Sequence, residues 1–276
     1  MATGGCHSAM DKREGEKRRR LEDQGGGGRR RQNEGERVVD INSLPDAVLG
    51  EIVSRLPTKD GARTQLLSRM WRPVWCSAPL NLNASVSDWP KKRIPVGDIS
   101  RILSAHPGPG RRFSIPEGYL YGVDRPTATL DGWLQSPALD NLRELEINVG
   151  NWSRPPPLTL SALALRFSST LRMATFCFCT FLDGDSGMGM APQLPLLEKL
   201  SLLDVTILES FLHALLTGCS AMEALVLCRV RGCSRAWIVS SSLRSITVSL
   251  SHEWLRLHHL TIQDAPCLER KASTFW

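Results

Sequence analysis

Aromatic side chains are scarce in this 276-residue sequence, at 6% with only two tyrosines, and long apolar runs are missing. No stretch of 18 consecutive apolar residues exists, so no segment has the length of a membrane-spanning helix. The amino terminus has no apolar core of the kind a secretory signal peptide needs. The expectation is a soluble chain of the nucleus and/or cytoplasm, whose eight cysteines stay reduced thiols. Charge of one sign is not in great excess either. The net charge is +6, and residues 1–37 carry ten Lys/Arg against seven Asp/Glu, leaving half of the surplus for the rest of the chain. That spread argues against a broad nucleic-acid-binding face.

Residues 1–37 contain no aromatic residue, no β-branched residue except Thr3, and a glycine run at Gly25–Gly28. Such a segment buries too little apolar surface to offset its ordering entropy, so it reads as a disordered basic, glycine-rich tail. Its clusters Lys17, Arg18, Arg19, Arg20 and Arg29, Arg30, Arg31 have the composition of a nuclear-import signal. A solvated polyampholyte is the competing reading of the same residues.

Catalytic signatures are missing too. Cys177 and Cys179 lack a second pair at zinc-ligand spacing, and with Cys219, Cys228 and Cys233 they read as structural thiols. The run Thr175–Phe181 reads as one strand that points Cys177 and Cys179 to the same side. Gly187-Met-Gly-Met and Gly108-Pro-Gly-Arg-Arg do not join a strand to a helix, so neither forms a phosphate cradle. Asp183 and Asp185 read as solvating their loop. The six histidines have no nucleophile or acid partner at motif spacing. No catalytic residue, cofactor or metal is expected.

What is present begins at residues 40–75. Ser43, Pro45 and Asp46 have the pattern of a helix start with a capping box. Val48, Leu49, Ile52, Val53 and Leu56 follow at helical period. Pro57 ends that helix, Thr58 and Asp60 open a second that reaches Leu66 and Leu67, and Ser68 to Trp75 form a third. Trp71 and Trp75, four apart, share a face. This stretch is too short to enclose a core of its own, so it is expected to complete its core on a neighbour or a partner. Its literal string resembles the F-box of plant F-box proteins: Ile41, Leu44-Pro45-Asp46, Leu49, Ile52, Leu56-Pro57-Thr58-Lys59-Asp60, Arg63-Thr64, Leu67-Ser68-Arg69, Trp71-Arg72 and Trp75. Met70 and Gly61 depart from the usual pattern. The resemblance implies docking on a Skp-type adaptor, and through it on a cullin–RING ubiquitin ligase, by Leu44, Pro45, Leu49, Ile52, Leu56, Leu67, Trp71 and Trp75. Some of these must instead hold the helices together.

Beyond an irregular stretch (77–98, with Trp89 against the first repeat), a Leu-x-x-Leu-x-Leu pattern recurs. Its copies are Leu142/Leu145/Ile147, Leu171/Ala174/Phe176, Leu197/Leu200/Leu202, Met222/Leu225/Leu227, Leu243/Ile246/Val248 and Leu257/Leu260/Ile262. Most steps between first positions fall at or near the leucine-rich period of about 20–29 residues, and the last is shorter. Phe113 and Ile115 mark an earlier strand behind a helix at Ile99–Leu103. Helix signals at Asp131–Leu134 and Leu208–Leu216 precede the strands at 142 and 222. The strings Leu163–Leu171, Leu194–Leu202, Leu212–Cys219, Ser242–Ile246 and Asp264–Arg270 resemble plant F-box/leucine-rich-repeat proteins.

The expected fold is an α+β or α/β repeat: tail 1–37, three-helix F-box 38–76, linker 77–98, and an irregular leucine-rich-repeat solenoid 99–276 with a parallel concave sheet. The resemblance implies a non-catalytic substrate-recognition subunit of an SCF-type E3 ubiquitin ligase that holds an unidentified target protein. Strand neighbours Glu144, Glu146, Lys199, Ser201, Glu223, Val226 and Arg244 are candidate target contacts. Look-alikes continue past the point where Trp276 ends this chain, so a shortened solenoid is expected. An adaptor-binding competitor that delivers nothing, or a plain repeat scaffold, are the alternatives; membrane and nucleic acid are not expected partners.

Overall fold

The computed structural model describes residues 40–84, 94–150, 158–160, 166–181, 193–250 and 257–275. Trp89, Leu163–Leu165, Asp183, Asp185, Gly187–Met190 and the import-signal residues Lys17–Arg31 lie outside them.

The chain opens with a 3-10 turn at Ile41–Ser43, then α1 (Asp46–Ser54), α2 (Thr58–Arg63), a 3-10 turn at Thr64–Leu66, and α3 (Trp71–Ser77). Pro45, rather than Ser43, is the residue at the start of α1, and no side-chain hydrogen bond caps it. Ser43 is already committed to the preceding 3-10 turn, so the capping-box reading fails there.

Eight strands then build one all-parallel sheet, in the order β1 (Leu80–Asn83), β2 (Gly110–Ile115), β3 (Glu144–Asn148), β5 (Met173–Cys177), β7 (Lys199–Leu203), β8 (Ala224–Cys228), β10 (Ser245–Leu250) and β12 (Arg270–Phe275). Two small parallel pairs lie outside it: β4 (Leu158–Leu160) with β6 (Cys179–Phe181), and β9 (Arg235–Val239) with β11 (His259–Gln263). Helices α4 (Val96–Ala105), α5 (Pro126–Leu134) and α6 (Glu209–Thr217) occupy return segments. This is a helical module followed by a parallel-sheet solenoid.

Register explains the core. Strand alternation sends every second residue to one face, and pairing puts Phe113, Leu145, Ala174, Leu200, Leu225 and Ile246 in one row. Ile115, Ile147, Phe176, Leu202, Leu227 and Val248 make the next row. All twelve are buried in one continuous core. The first five repeat copies therefore lie where the pattern places them.

At the ends of β5, β7 and β8 the chain turns through the left-handed region at Phe178, Asp204 and Arg229, with φ of 57°, 52° and 51°. The first two turns hand their amides to the next strand: Phe178 N donates to Leu203 O and Asp204 N to Cys228 O. The kink at Phe178 also breaks the expected single strand Thr175–Phe181. Cys179 joins the core, whereas Cys177 shares the parity of Met173 and Thr175 on the opposite face.

Two further expectations change. The sixth copy, Leu257/Leu260/Ile262, falls on β11 and pairs with β9, not with the main sheet. The step from Leu243 to Leu257 is too short for a strand, a return and a second strand. The main sheet instead continues at β12, and Leu268 just before it packs on the core one full repeat after Leu243. The linker reading of 77–98 is also corrected, because Leu80–Asn83 is a strand of the sheet, with Leu80 and Leu82 buried in the core.

Candidate functional site

The helical module has a small core of its own, formed by Leu49, Val53, Trp71, Val74 and Ala78, with Leu44, Met70 and Trp75 packed partly against it. This divides the expected docking residues. Leu49 and Trp71 are buried inside the chain and present nothing to a partner. Leu44 and Trp75 are half-buried, and Pro45, Ile52, Leu56 and Leu67 are exposed. The α1 stripe is wider than one interface: Leu49 and Val53 turn inward, whereas Val48, Ile52 and Leu56 turn out. The outward group continues onto the following turns. Ile41, Val48, Ile52 and Leu56 are 37–45% exposed, Leu67 is 67% exposed and Leu66 is 83% exposed. Ile41, Val48 and Leu66 were not among the expected docking residues. The signal for Val48 was available, because 48, 52 and 56 share one helical face while 49 and 53 lie on the next.

Trp75 explains the unusual Gly61. A Cβ at Gly61 would stand 2.6 Å from Cζ3 of the Trp75 ring. That ring also meets His106 edge-on, with centroids 5.2 Å apart. Trp75 therefore packs between α2 and the first repeat. His106, itself buried, places Nε2 3.0 Å from the Ala78 carbonyl, which fixes the N–H on that nitrogen. Burial lowers its pKa.

The second exposed face is the sheet side opposite the core. Its rows read Arg112, Glu144, Met173, Lys199, Ala224, Ser245 and Arg270, then Ser114, Glu146, Thr175, Ser201, Val226, Thr247 and Ala272. Glu144, Glu146, Lys199, Ser201 and Val226 are thus on this face. Glu144 and Glu146 are already engaged: Arg112 lies 3.4 Å from Glu144 and 3.1 Å from Glu146, and Ser114 donates to Glu146 at 2.9 Å. Glu223 and Arg244 precede β8 and β10, so they stand on the rim and not on the strands, and Arg244 pairs with Glu269 at 3.1 Å. Charge thus gathers at the β2–β3 end, and small or hydroxyl side chains form most of the remaining floor.

At the opposite ends of the strands, buried Asp204 accepts from Arg229 Nε at 2.6 Å and from Arg231 at 3.2 Å. Two guanidiniums engage both oxygens of one buried carboxylate, a structural tie between successive repeats. Burial pushes the thiols of Cys177 and Cys233 up to about 11, and those of Cys179 and Cys219 up to about 12. Such thiols are protonated and poorly nucleophilic. No group of three or more His, Cys, Asp or Glu among the described residues could hold a metal ion. No described helix is long and apolar enough to cross a membrane. What the two exposed faces offer is contact area.

Known proteins share both parts. The F-box domain model matches residues 41–83, and the model for the LRR repeats of FBD-associated F-box protein At5g56370 matches residues 130–274. Among curated proteins of Arabidopsis thaliana, putative F-box/LRR-repeat protein At3g18150 is 27% identical over 218 residues, covering 78% of this chain and 43% of the relative. Putative F-box/LRR-repeat protein At3g58880 is 28% identical, covering 75% of this chain and 46% of the relative. F-box/FBD/LRR-repeat protein At1g13570 is 25% identical, covering 70% and 45%. The chain spans less than half the length of these relatives. No solved structure matches it.

Proposed function

This chain belongs to the plant F-box/leucine-rich-repeat family, and we propose that it is a target-recognition subunit of an SCF-type cullin–RING ubiquitin ligase. In this reading the outward face of α1 and the turn after α2 docks a Skp-type adaptor. The sheet face from β3 to β12 holds a target protein. The chain performs no bond chemistry itself. It raises the effective concentration of a target lysine at the ligase's ubiquitin-charged partner, which converts a bimolecular encounter into a local one.

One observation carries the reading: six large apolar side chains of the F-box, Ile41, Val48, Ile52, Leu56, Leu66 and Leu67, stay uncovered although the module has a core of its own. A module that needed only to fold would turn them inward, since contiguous exposed apolar surface marks an interaction site. The basic clusters of the tail are proposed to direct nuclear import, with the cytoplasm as the other site of action.

Co-purification with a plant Skp-type adaptor tests docking. The wild type should recover adaptor, and Ile52→Asp combined with Leu67→Asp should not, while circular dichroism shows both folded. Equal recovery would end the docking account. Ubiquitin transfer to a co-purifying protein in the reconstituted ligase then tests delivery.

A further inference from the structure

The first strand of the sheet has an edge that no other strand covers among the described residues. In β1 the even-numbered residues bond toward β2: Leu80 N donates to Pro109 O, and Ala84 N donates to Ser114 O at 3.0 Å. The amides and carbonyls of Asn81 and Asn83 therefore face the other way, where an additional strand would pair. A bare edge of this kind is a template for unwanted pairing, and a solenoid needs its end covered.

A side chain fills the position. Thr58, the first residue of α2, is buried, and its hydroxyl donates to Asn81 O at 2.7 Å while accepting from Asn83 N at 3.2 Å. One Oγ thus makes the two bonds that one facing residue of a neighbouring strand would supply. Three contacts brace it. The Asn81 side-chain amide donates to the Ser54 carbonyl at the end of α1. Arg111 of β2 pairs with Glu51 of α1 at 3.0 Å. His106 holds the Ala78 carbonyl just before β1.

We propose that Thr58 is a positioning residue: it makes the F-box the end cap of the sheet, so that the adaptor-docking face and the target-binding face move as one body. The α1–α2 pair then serves two surfaces, the adaptor on the side of Val48, Ile52 and Leu56, and the β1 edge on the side of Ser54 and Thr58. Anything that orders α1 and α2 from outside also holds the β1 edge. The consequence for target delivery rests on the ligase reading above; the coupling of the two parts does not.

The test is hydrogen exchange followed by mass spectrometry on the full chain, free and with a plant Skp-type adaptor. In the wild type the adaptor should slow exchange in residues 46–77 and also in residues 80–84, the segment that Thr58 clasps. Thr58→Val keeps the shape and removes both bonds. It should speed exchange of the peptide containing Asn83 by up to about tenfold, the usual effect of losing a hydrogen bond. It should also abolish the adaptor's effect on 80–84 while leaving adaptor affinity within about twofold, because Thr58 faces away from the docking side. Thr58→Ser, which restores the hydroxyl, should return both. Unchanged exchange at 80–84 in Thr58→Val overturns the proposal, as does a loss of adaptor affinity with protection of β1 intact. Failure of the wild type to bind adaptor would instead sink the ligase reading, and the free-chain comparison would still decide the coupling. Should Thr58→Val not fold, Thr58→Ala carries the test. It removes the same two bonds without a second methyl group, and wild-type exchange at 80–84 in that variant overturns the proposal.

Discussion

Leu67→Ala against Leu49→Ala separates docking from folding. The six uncovered side chains of the F-box together expose the equivalent of about three whole large residues. Covering that surface is worth roughly 5–9 kcal/mol at about 1.5–3 kcal/mol per fully covered side chain. Association costs about 4–15 kcal/mol in lost freedom, so the apolar patch sits close to break-even and no member of it is spare. Leu67, 67% exposed, supplies about 1–2 kcal/mol of the total. Its loss should weaken adaptor binding by roughly 5- to 30-fold at about 1.4 kcal/mol per tenfold, with little change in melting temperature. Leu49 is fully buried in the module's own core. Leu49→Ala should cost about 2–5 kcal/mol of stability and weaken binding only through the unfolded fraction, so that excess adaptor restores it. Calorimetric titration beside thermal unfolding reads both quantities. Unaltered affinity in Leu67→Ala would refute the assignment of that face, and so would lost affinity in a Leu49→Ala chain that melts like the wild type.

Three further outcomes follow from individual contacts. Gly61→Ala gains about 1 kcal/mol of helix propensity but drives its Cβ into the Trp75 ring; it should lower the melting temperature, and the same change in a Trp75→Leu background should not. Asp204→Asn keeps a residue that tolerates the left-handed turn yet removes the charge shared by Arg229 and Arg231. Because both arginines are half exposed, the loss should be about 1–3 kcal/mol, below that of a fully buried pair, and denaturant unfolding measures it. Burial lowers the His106 pKa from its usual 6.5, so the unfolded chain binds a proton before the folded chain does. Its contribution is therefore complete above pH 6.5 and declines as pH falls toward the folded value. His106→Asn should flatten that part of the stability profile, visible as a smaller change in denaturant midpoint on acidification through the ordinary histidine range.

The repeats were legible because a strand that packs on a return segment must show paired apolar residues two apart, and five copies did so at steps close to the leucine-rich period. The miss at Leu257/Leu260/Ile262 came from counting pattern without length. An apolar triplet fits a short outlying strand such as β11 as well as a strand of the main sheet, and only the shortened step from Leu243 separates them. The replacement, β12, was hidden because its inward positions are Lys271 and Ser273, opposite Ile246 and Val248. Among the described residues β12 has a neighbour on one side only, and with no apolar residue at these two positions periodicity falls silent there. The left-handed turns were illegible for a different reason. They fall on Phe178, Asp204 and Arg229, not on glycine, so their strain is held by bonds between neighbouring repeats and leaves no mark in the sequence.

The proposed docking face is hard to read from sequence for a physical reason. An apolar stripe reports that residues avoid water, not which body removes them from it. In α1 the stripe covers the angles of two interfaces, and Leu49 and Ile52 look alike as letters. Trp75 is the sharper case: the same tryptophan that reads as an anchor for a partner is wedged between Gly61 and His106. A glycine where a larger residue is usual was the available hint, since a missing Cβ in a short helix usually makes room for something. A partner and the chain itself fill such room equally well, and only the position of His106, beyond the end of α4, decides for the chain. The polar clasp at Thr58 follows the same logic. Hydroxyl groups at helix starts are common, and nothing in residues 57–60 marks this one as the substitute for a strand until β1 is known to have an open edge.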